Sequence, residues 1–150
     1  MYMSIWVKRI KMRIPILLIY LLSGCQVTEP PTKVLKAFRE KFPDAKEVSW
    51  NIDRNARHEA DFKFNGTHFR ADFNPGGQWV ETETNVKWGD LPEATKAAFE
   101  NEDKKKDIIE IEFVDNHEKG KFYDIEYKIG VGKQDIMITP DGKVLGTDRY

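Results

Sequence analysis

The stretch "HEADFKFNGTHFRADF", residues 58–73, decides the architecture. Asn65-Gly66 at its centre is the strongest two-residue hairpin signal, because both central positions of a type I′ turn need positive φ. Folding the chain back about that turn fixes a register. Phe64 then faces Thr67, Phe62 faces Phe69 and Ala60 faces Ala71, all on one side. The opposite side holds Lys63 with His68, Asp61 with Arg70 and Glu59 with Asp72. Turn chemistry and hydrophobic alternation agree on an antiparallel pair with one apolar and one charged face. Asp61–Arg70 is expected to form a cross-strand ion pair worth roughly a few tenths of a kcal/mol.

Working outward, the chain echoes itself. "PTKVLKAF" (31–38) and "PEATKAAF" (92–99) both open on proline and close on Ala-Phe. "FNPGGQWVET" (73–82) and "ITPDGKVLGT" (138–147) share a Pro-x-Gly core with an apolar residue before it and a threonine after it. Val34, Leu35, Phe38 and Phe42 follow helical spacing, as do Leu91, Ala94, Thr95, Ala98 and Phe99. Pro43 ends the first helix, and Asp90 with Pro92 reads as the N-cap and first turn of the second. Strand alternation follows each helix. Val48, Trp50 and Ile52 alternate with polar residues, Ile109, Ile111 and Phe113 come after the second helix, and Tyr123, Ile125, Tyr127 and Ile129 precede a loop at Gly130–Gln134 and a last pair of strands. The expected fold class is α+β: two tandem helix-plus-antiparallel-strands repeats, about 32–87 and 88–150. They form one continuous antiparallel sheet with two helices on one face and a polar second face.

The first 24 residues differ from the rest. Lys8, Arg9, Lys11 and Arg13 precede an apolar run from Ile14 to Leu22, then Ser23-Gly24-Cys25. A basic region, a short apolar region and small residues describe a secretory signal, and the run is too short for the roughly 20 residues that span a bilayer. Leu22-Ser23-Gly24-Cys25 resembles a bacterial lipobox, which implies lipidation of Cys25 and a membrane anchor. Residues 25–31, with Pro30-Pro31, read as a tether. Gln26 after the cysteine implies an outer-membrane rather than inner-membrane lipoprotein. Removing the signal takes four of the 24 basic residues and none of the 25 acidic ones, which leaves a net charge of −5. That argues against nucleic acid as a partner, since its binding is driven by basic surface.

Chemistry is sparse. The single cysteine excludes an intramolecular disulfide, and no histidine accompanies it as a catalytic partner. His58 and His68 fall on opposite faces of the hairpin and His117 in a turn, so no metal site is expected. Glu110 with Glu112 and Asp124 with Glu126 share strand faces at i, i+2, the pattern of any solvated sheet. No cofactor and no catalytic residue are expected. Trp50, Phe62, Phe64, Phe69 and Phe73 have core parity, whereas Trp79 and Trp88 are less determined and Trp88 could staple the two repeats.

The helix-then-strands unit, the Ala-Phe helix ends, the hairpins and the repeated Pro-x-Gly turns resemble the PepSY-like, β-lactamase-inhibitor-protein-like family of small bacterial envelope proteins. The resemblance covers about residues 31–148. It implies a sheet surface that grips another protein, without naming an inhibitory residue. The expectation is a non-catalytic, lipid-anchored envelope module that binds a protein, an inhibitor or regulator of a secreted or periplasmic enzyme being one form of it. The candidate contact residues are Lys63, His68, Arg70, Asp72, Glu126, Lys128 and Met137 on the polar face. The alternative is a small-ligand or peptide carrier with an apolar cleft between the repeats near Trp79 and Trp88.

Overall fold

In the computed structural model, which describes residues 29–102 and 107–149, helix α1 (Thr32–Lys41) leads into strands β1 (Lys46–Ile52), β2 (His58–Phe64), β3 (Thr67–Phe73) and β4 (Trp79–Asn85). A short 3₁₀ turn (Trp88–Asp90) and helix α2 (Glu93–Glu102) precede β5 (Ile108–Asn116), β6 (Gly120–Ile129), β7 (Gly132–Ile138) and β8 (Val144–Arg149). The eight strands form one antiparallel sheet in sequence order, so every strand pairs with its chain neighbour. The fold is α+β. Cys25 and the segment expected to be a signal lie outside the described residues. Among the described residues no helix is long and apolar enough to cross a membrane.

The β2–β3 hairpin has the register expected from its turn: Phe64↔Thr67, Phe62↔Phe69, Ala60↔Ala71 and Asp61↔Arg70. Asn65 and Gly66 take φ of 51° and 82°, as that turn requires. Both helices begin directly after a proline whose carbonyl accepts the first helical bonds, Pro31 from Leu35 (3.1 Å) and Pro92 from Lys96 (3.1 Å). Asp90 therefore does not cap α2. Its carboxylate accepts instead from the Lys87 backbone (3.4 Å) within the 3₁₀ turn.

Each helix packs on the same sheet face over its own cluster. Val34, Phe38 and Phe42 of α1 meet Ala60, Phe62, Ala71 and Phe73, with Trp50, Phe64, Phe69 and Trp79 at the border. Leu91 and, from α2, Phe99 meet Ile111, Ile125, Tyr127, Ile136 and Ile138. Trp88 belongs to this second cluster, its ring 5.6 Å from Phe99.

Glycine is required where helix meets turn. Gly77 (φ 85°) lies so close to α1 that a Cβ there would sit 2.7 Å from the Lys33 carbonyl oxygen, and Gly142 (φ 88°) stands 2.8 Å from that of Ala94. Both turns are closed alike. Asn74 and Thr139 each donate a backbone N–H (to Gln78 and Lys143, 2.9 Å) and accept one (from Gly77 and Gly142, 2.9 Å). A bulge precedes each turn, between Asp72 and Phe73 and between Met137 and Ile138.

Two strand expectations need correction. The loop expected over Gly130–Gln134 is a turn of Gly130 and Val131 alone, because Gly130 takes φ 57° and lets Ile129 pair with Gly132. The apolar alternation of β1 buries little. It is an edge strand, and Val48 and Ile52 are exposed while only Trp50 packs on the core.

Candidate functional site: the helix-free sheet face

The register places all seven candidate residues, Lys63, His68, Arg70, Asp72, Glu126, Lys128 and Met137, on the face that carries no helix. They form two groups, on β2–β3 and on β6–β7, separated by β4 and β5. What lies between them is mostly acid. Along one row Glu59, Asp72 and Glu81 are direct cross-strand neighbours, ending at Asn116. Along others Glu112 faces Asp124, and Glu110, Glu126 and Asp135 sit side by side.

Of the basic residues expected to offer contacts, Arg70 is the one turned onto this acid field. Arg70 does not pair with Asp61. Its Nη2 donates to Glu83 (2.5 Å) and to both oxygens of Glu112 (2.9 and 3.0 Å), and its Nε donates to Glu83 (3.1 Å). The guanidinium fork can satisfy two carboxylates at once, and Glu83 is its direct neighbour on β4. Asp61 instead lies 3.8 Å from His68 Nε2 and accepts from Asn51 (3.4 Å). Asp72 sits 3.6 Å from Arg57, whose Nη1 also donates to Glu81 (2.8 Å). Lys63 pairs with Glu47 and Glu126 with Lys133, each at 2.6 Å. Lys128 is exposed opposite Lys133, and the Met137 sulfur accepts from Lys119 (3.4 Å).

Burial and the neighbouring acids both raise the pKa values of these carboxylates. Burial, then Glu81, Glu83, Glu59 and Asp53, push Asp72 up to about 7. Burial and Glu83 push Glu112 up to about 7 against the opposing pull of Arg70. Burial, Asp135 and Glu112 push Asp124 up to about 7, and its Oδ1 is enclosed without a hydrogen-bond partner among the described residues. Glu59 is also raised, by burial first and then by Asp61. Among the described residues no group of three His, Cys, Asp or Glu is arranged to hold a metal.

A pH dependence follows. These groups have folded-state pKa values above their unfolded ones, so between pH 4 and 7 the folded chain holds protons that the unfolded chain has released. Stability is therefore highest on the acid side of this window and falls as pH rises through 7. Solvent screening limits the sum to about 1–2 kcal/mol, or about 4–8 °C in Tm. Calorimetry at pH 5.5 and pH 8.5 is expected to give the higher Tm at pH 5.5; a higher Tm at pH 8.5 contradicts it.

The histidines lie as the hairpin parity implied. His58 opposes Phe73 on the helix side, His68 is on the open face, and His117 is in the β5–β6 turn with Nδ1 3.2 Å from the Val80 carbonyl. On the helix side a hollow of about 230 Å³ lies between the two cores, lined by Lys41, Phe42, Phe64, Phe69, Thr82, Thr84, Phe113 and Asp115. Trp79 borders it, with Lys41 Nζ 3.6 Å above its ring and Thr82 accepting its Nε1–H (2.9 Å). Trp88 is not part of the hollow, because it is committed to the second core.

Alternation alone puts Glu59, Glu112 and Asp124 at polar strand positions, but it does not single them out, or Glu81, Glu83 and Asp135, as contact residues. The signal was there in the i, i+2 acids of β4, β5 and β6. Their fusion into a field depends on those strands being sheet neighbours.

A family model described as "Putative beta-lactamase-inhibitor-like, PepSY-like" matches residues 56–145, more than half of the chain. The chain belongs to this family. Two solved structures resemble this PepSY-like chain at 26% identity. One is described as "putative periplasmic proteins" from Bacteroides eggerthii (TM-score 0.70, 81% of this chain and 89% of that one). The other is a DUF2874 family protein from Bacteroides ovatus (TM-score 0.71, 81% and 88%). A BLIP-like protein from Bacteroides fragilis shares the fold at 19% identity (TM-score 0.71, 81% and 87%). No curated protein matched the PepSY-like chain.

Proposed function

We propose that this PepSY-like chain is a non-catalytic binding module of the bacterial cell envelope. It is anchored in the outer membrane through a lipid on Cys25, and its open sheet face holds a protein with a basic surface. The observation that carries this is the acid field of β2–β7, where Glu59, Asp72 and Glu81, and Glu110, Glu126 and Asp135, stand side by side across strands, and where burial first and neighbouring carboxylates second raise Asp72, Glu112 and Asp124 to about 7. A sheet face that served only solubility would not need carboxylates pressed together at a cost to the fold. A lysine- or arginine-rich partner relieves that repulsion and gains charge-assisted hydrogen bonds. The periplasmic description of the Bacteroides eggerthii structure supports the location. A secreted or periplasmic enzyme that the module inhibits or regulates is one form of such a partner.

We also read the two halves as copies of one unit. The support is the recurrence, 65 residues apart, of the bulge, the turn hydrogen bonds and the glycine against the helix.

The test is capture of a partner from envelope extract on the full chain, followed by affinity measurement. Glu110→Lys with Glu126→Lys is expected to weaken binding at least tenfold, and added salt to weaken it further; an affinity indifferent to both sinks the proposal. Incorporation of radiolabelled palmitate is expected to disappear in Cys25→Ala. A second reading, a carrier of small apolar ligands, is favoured by the hollow beside Trp79. It predicts that Phe113→Trp, which fills the hollow, abolishes ligand uptake without touching partner affinity.

A further inference from the structure

The edge of the sheet at β1 offers a second, separate surface. The Asp53 N–H donates to the Arg57 carbonyl (3.0 Å), so Asp53 and Arg57 are a directly bonded pair. Antiparallel ladders alternate bonded and non-bonded pairs. Ser49 and Asn51 therefore bond inward to β2, while Trp50 and Ile52 turn their backbone N–H and C=O groups outward from the sheet. Among the described residues no strand pairs with this edge. The bulge with Glu47 at φ 53° confines the regular edge to Ser49–Ile52.

Beside this edge runs a groove of about 350 Å³ between the flank of α1 and β1. Leu35, Phe38 and Phe42 line one wall, Val48 and Trp50 the other, and Arg39 stands at the rim. Val48 and Ile52 are exposed there as large apolar side chains. An apolar groove between a helix and an unpaired strand is the geometry that takes an added strand: main-chain bonds go to the edge, and alternate side chains go into the groove.

Charge selects the occupant. Among the described residues Arg39 makes no ion pair, and α1 carries Lys33, Lys36, Arg39 and Lys41 against the single acid Glu40. Pairing β1 with a second copy of itself would set two such helices side by side, cation against cation. We propose that the β1 edge accepts an extended segment of a partner protein that has apolar residues at alternate positions and an aspartate or glutamate set against Arg39. This site is independent of the acid face, whose partner must be basic.

The experiment selects binders from a random nine-residue peptide library, acetylated and amidated at its ends, against the full chain in mild detergent. Enriched peptides are expected to alternate apolar residues, to carry an acid, and to slow amide exchange at Trp50 and Ile52. Ile52→Pro removes an outward donor at a position where an edge strand tolerates proline and is expected to abolish binding. Arg39→Glu, on the exposed surface of α1, is expected to weaken it at least tenfold. No enrichment, or binding that survives both variants, overturns the proposal. Enriched peptides that are basic and weakened by Glu110→Lys overturn it in favour of the acid face alone. Sedimentation as a dimer that Ile52→Pro dissociates overturns it in favour of self-pairing.

Discussion

Phe62→Ala is expected to lower the unfolding free energy by about 3–5 kcal/mol, a large part of the roughly 5–15 kcal/mol that holds a domain together. Phe62 is 1% exposed. Its ring is met edge-on by Phe38 at 5.0 Å, lies 4.6 Å from Phe42 and stacks on Phe69 at 6.0 Å. Truncation thus removes the centre of the contact between α1 and the hairpin and leaves a void that four strands and a helix cannot collapse to fill. Urea unfolding is expected to show a lower midpoint with an unchanged slope. A loss below about 1 kcal/mol would mean that the first core is not built around this ring.

Arg70→Met is expected to cost about 2–4 kcal/mol near neutral pH, because it strips the cation from Glu83 and Glu112 and leaves them half-buried beside Asp72 and Asp124. The sign of its pH dependence separates charge from packing. Without Arg70 the Glu112 carboxyl is raised further, since the guanidinium is what opposes its burial. At pH 5.5 the carboxylates of the variant take up protons and the cost shrinks, whereas at pH 8.5 they remain charged and it is largest. Urea midpoints of both chains at the two pH values check this, and an equal loss at each would make Arg70 a packing residue rather than the keystone of an acid field.

The hairpin of residues 58–73 was legible because two local rules, Asn-Gly turn chemistry and period-two alternation, both act within sixteen residues. The core aromatics followed from the same parity. Edge status was not legible. Val48, Trp50 and Ile52 carry the alternation of a half-buried strand, yet Val48 and Ile52 stay exposed because the sheet ends there. The partners of Arg70 were not legible either. Asp61 is its direct cross-strand neighbour, but a guanidinium reaches past the next strand, and Glu112 is 42 residues away in the chain. Which charges meet on a sheet face depends on the order of strands, and sequence alternation reports only which face each residue takes.

The acid face is the proposed place of partner binding. Carbodiimide labelling of carboxylates, read residue by residue by mass spectrometry in the free chain and in its complex with the captured partner, tests it most directly. Protection of Glu81, Glu110 and Glu126 on binding, with Glu29 and Glu100 labelled as before, is the predicted result. Equal labelling of the three open-face carboxylates in the free and bound states would contradict it.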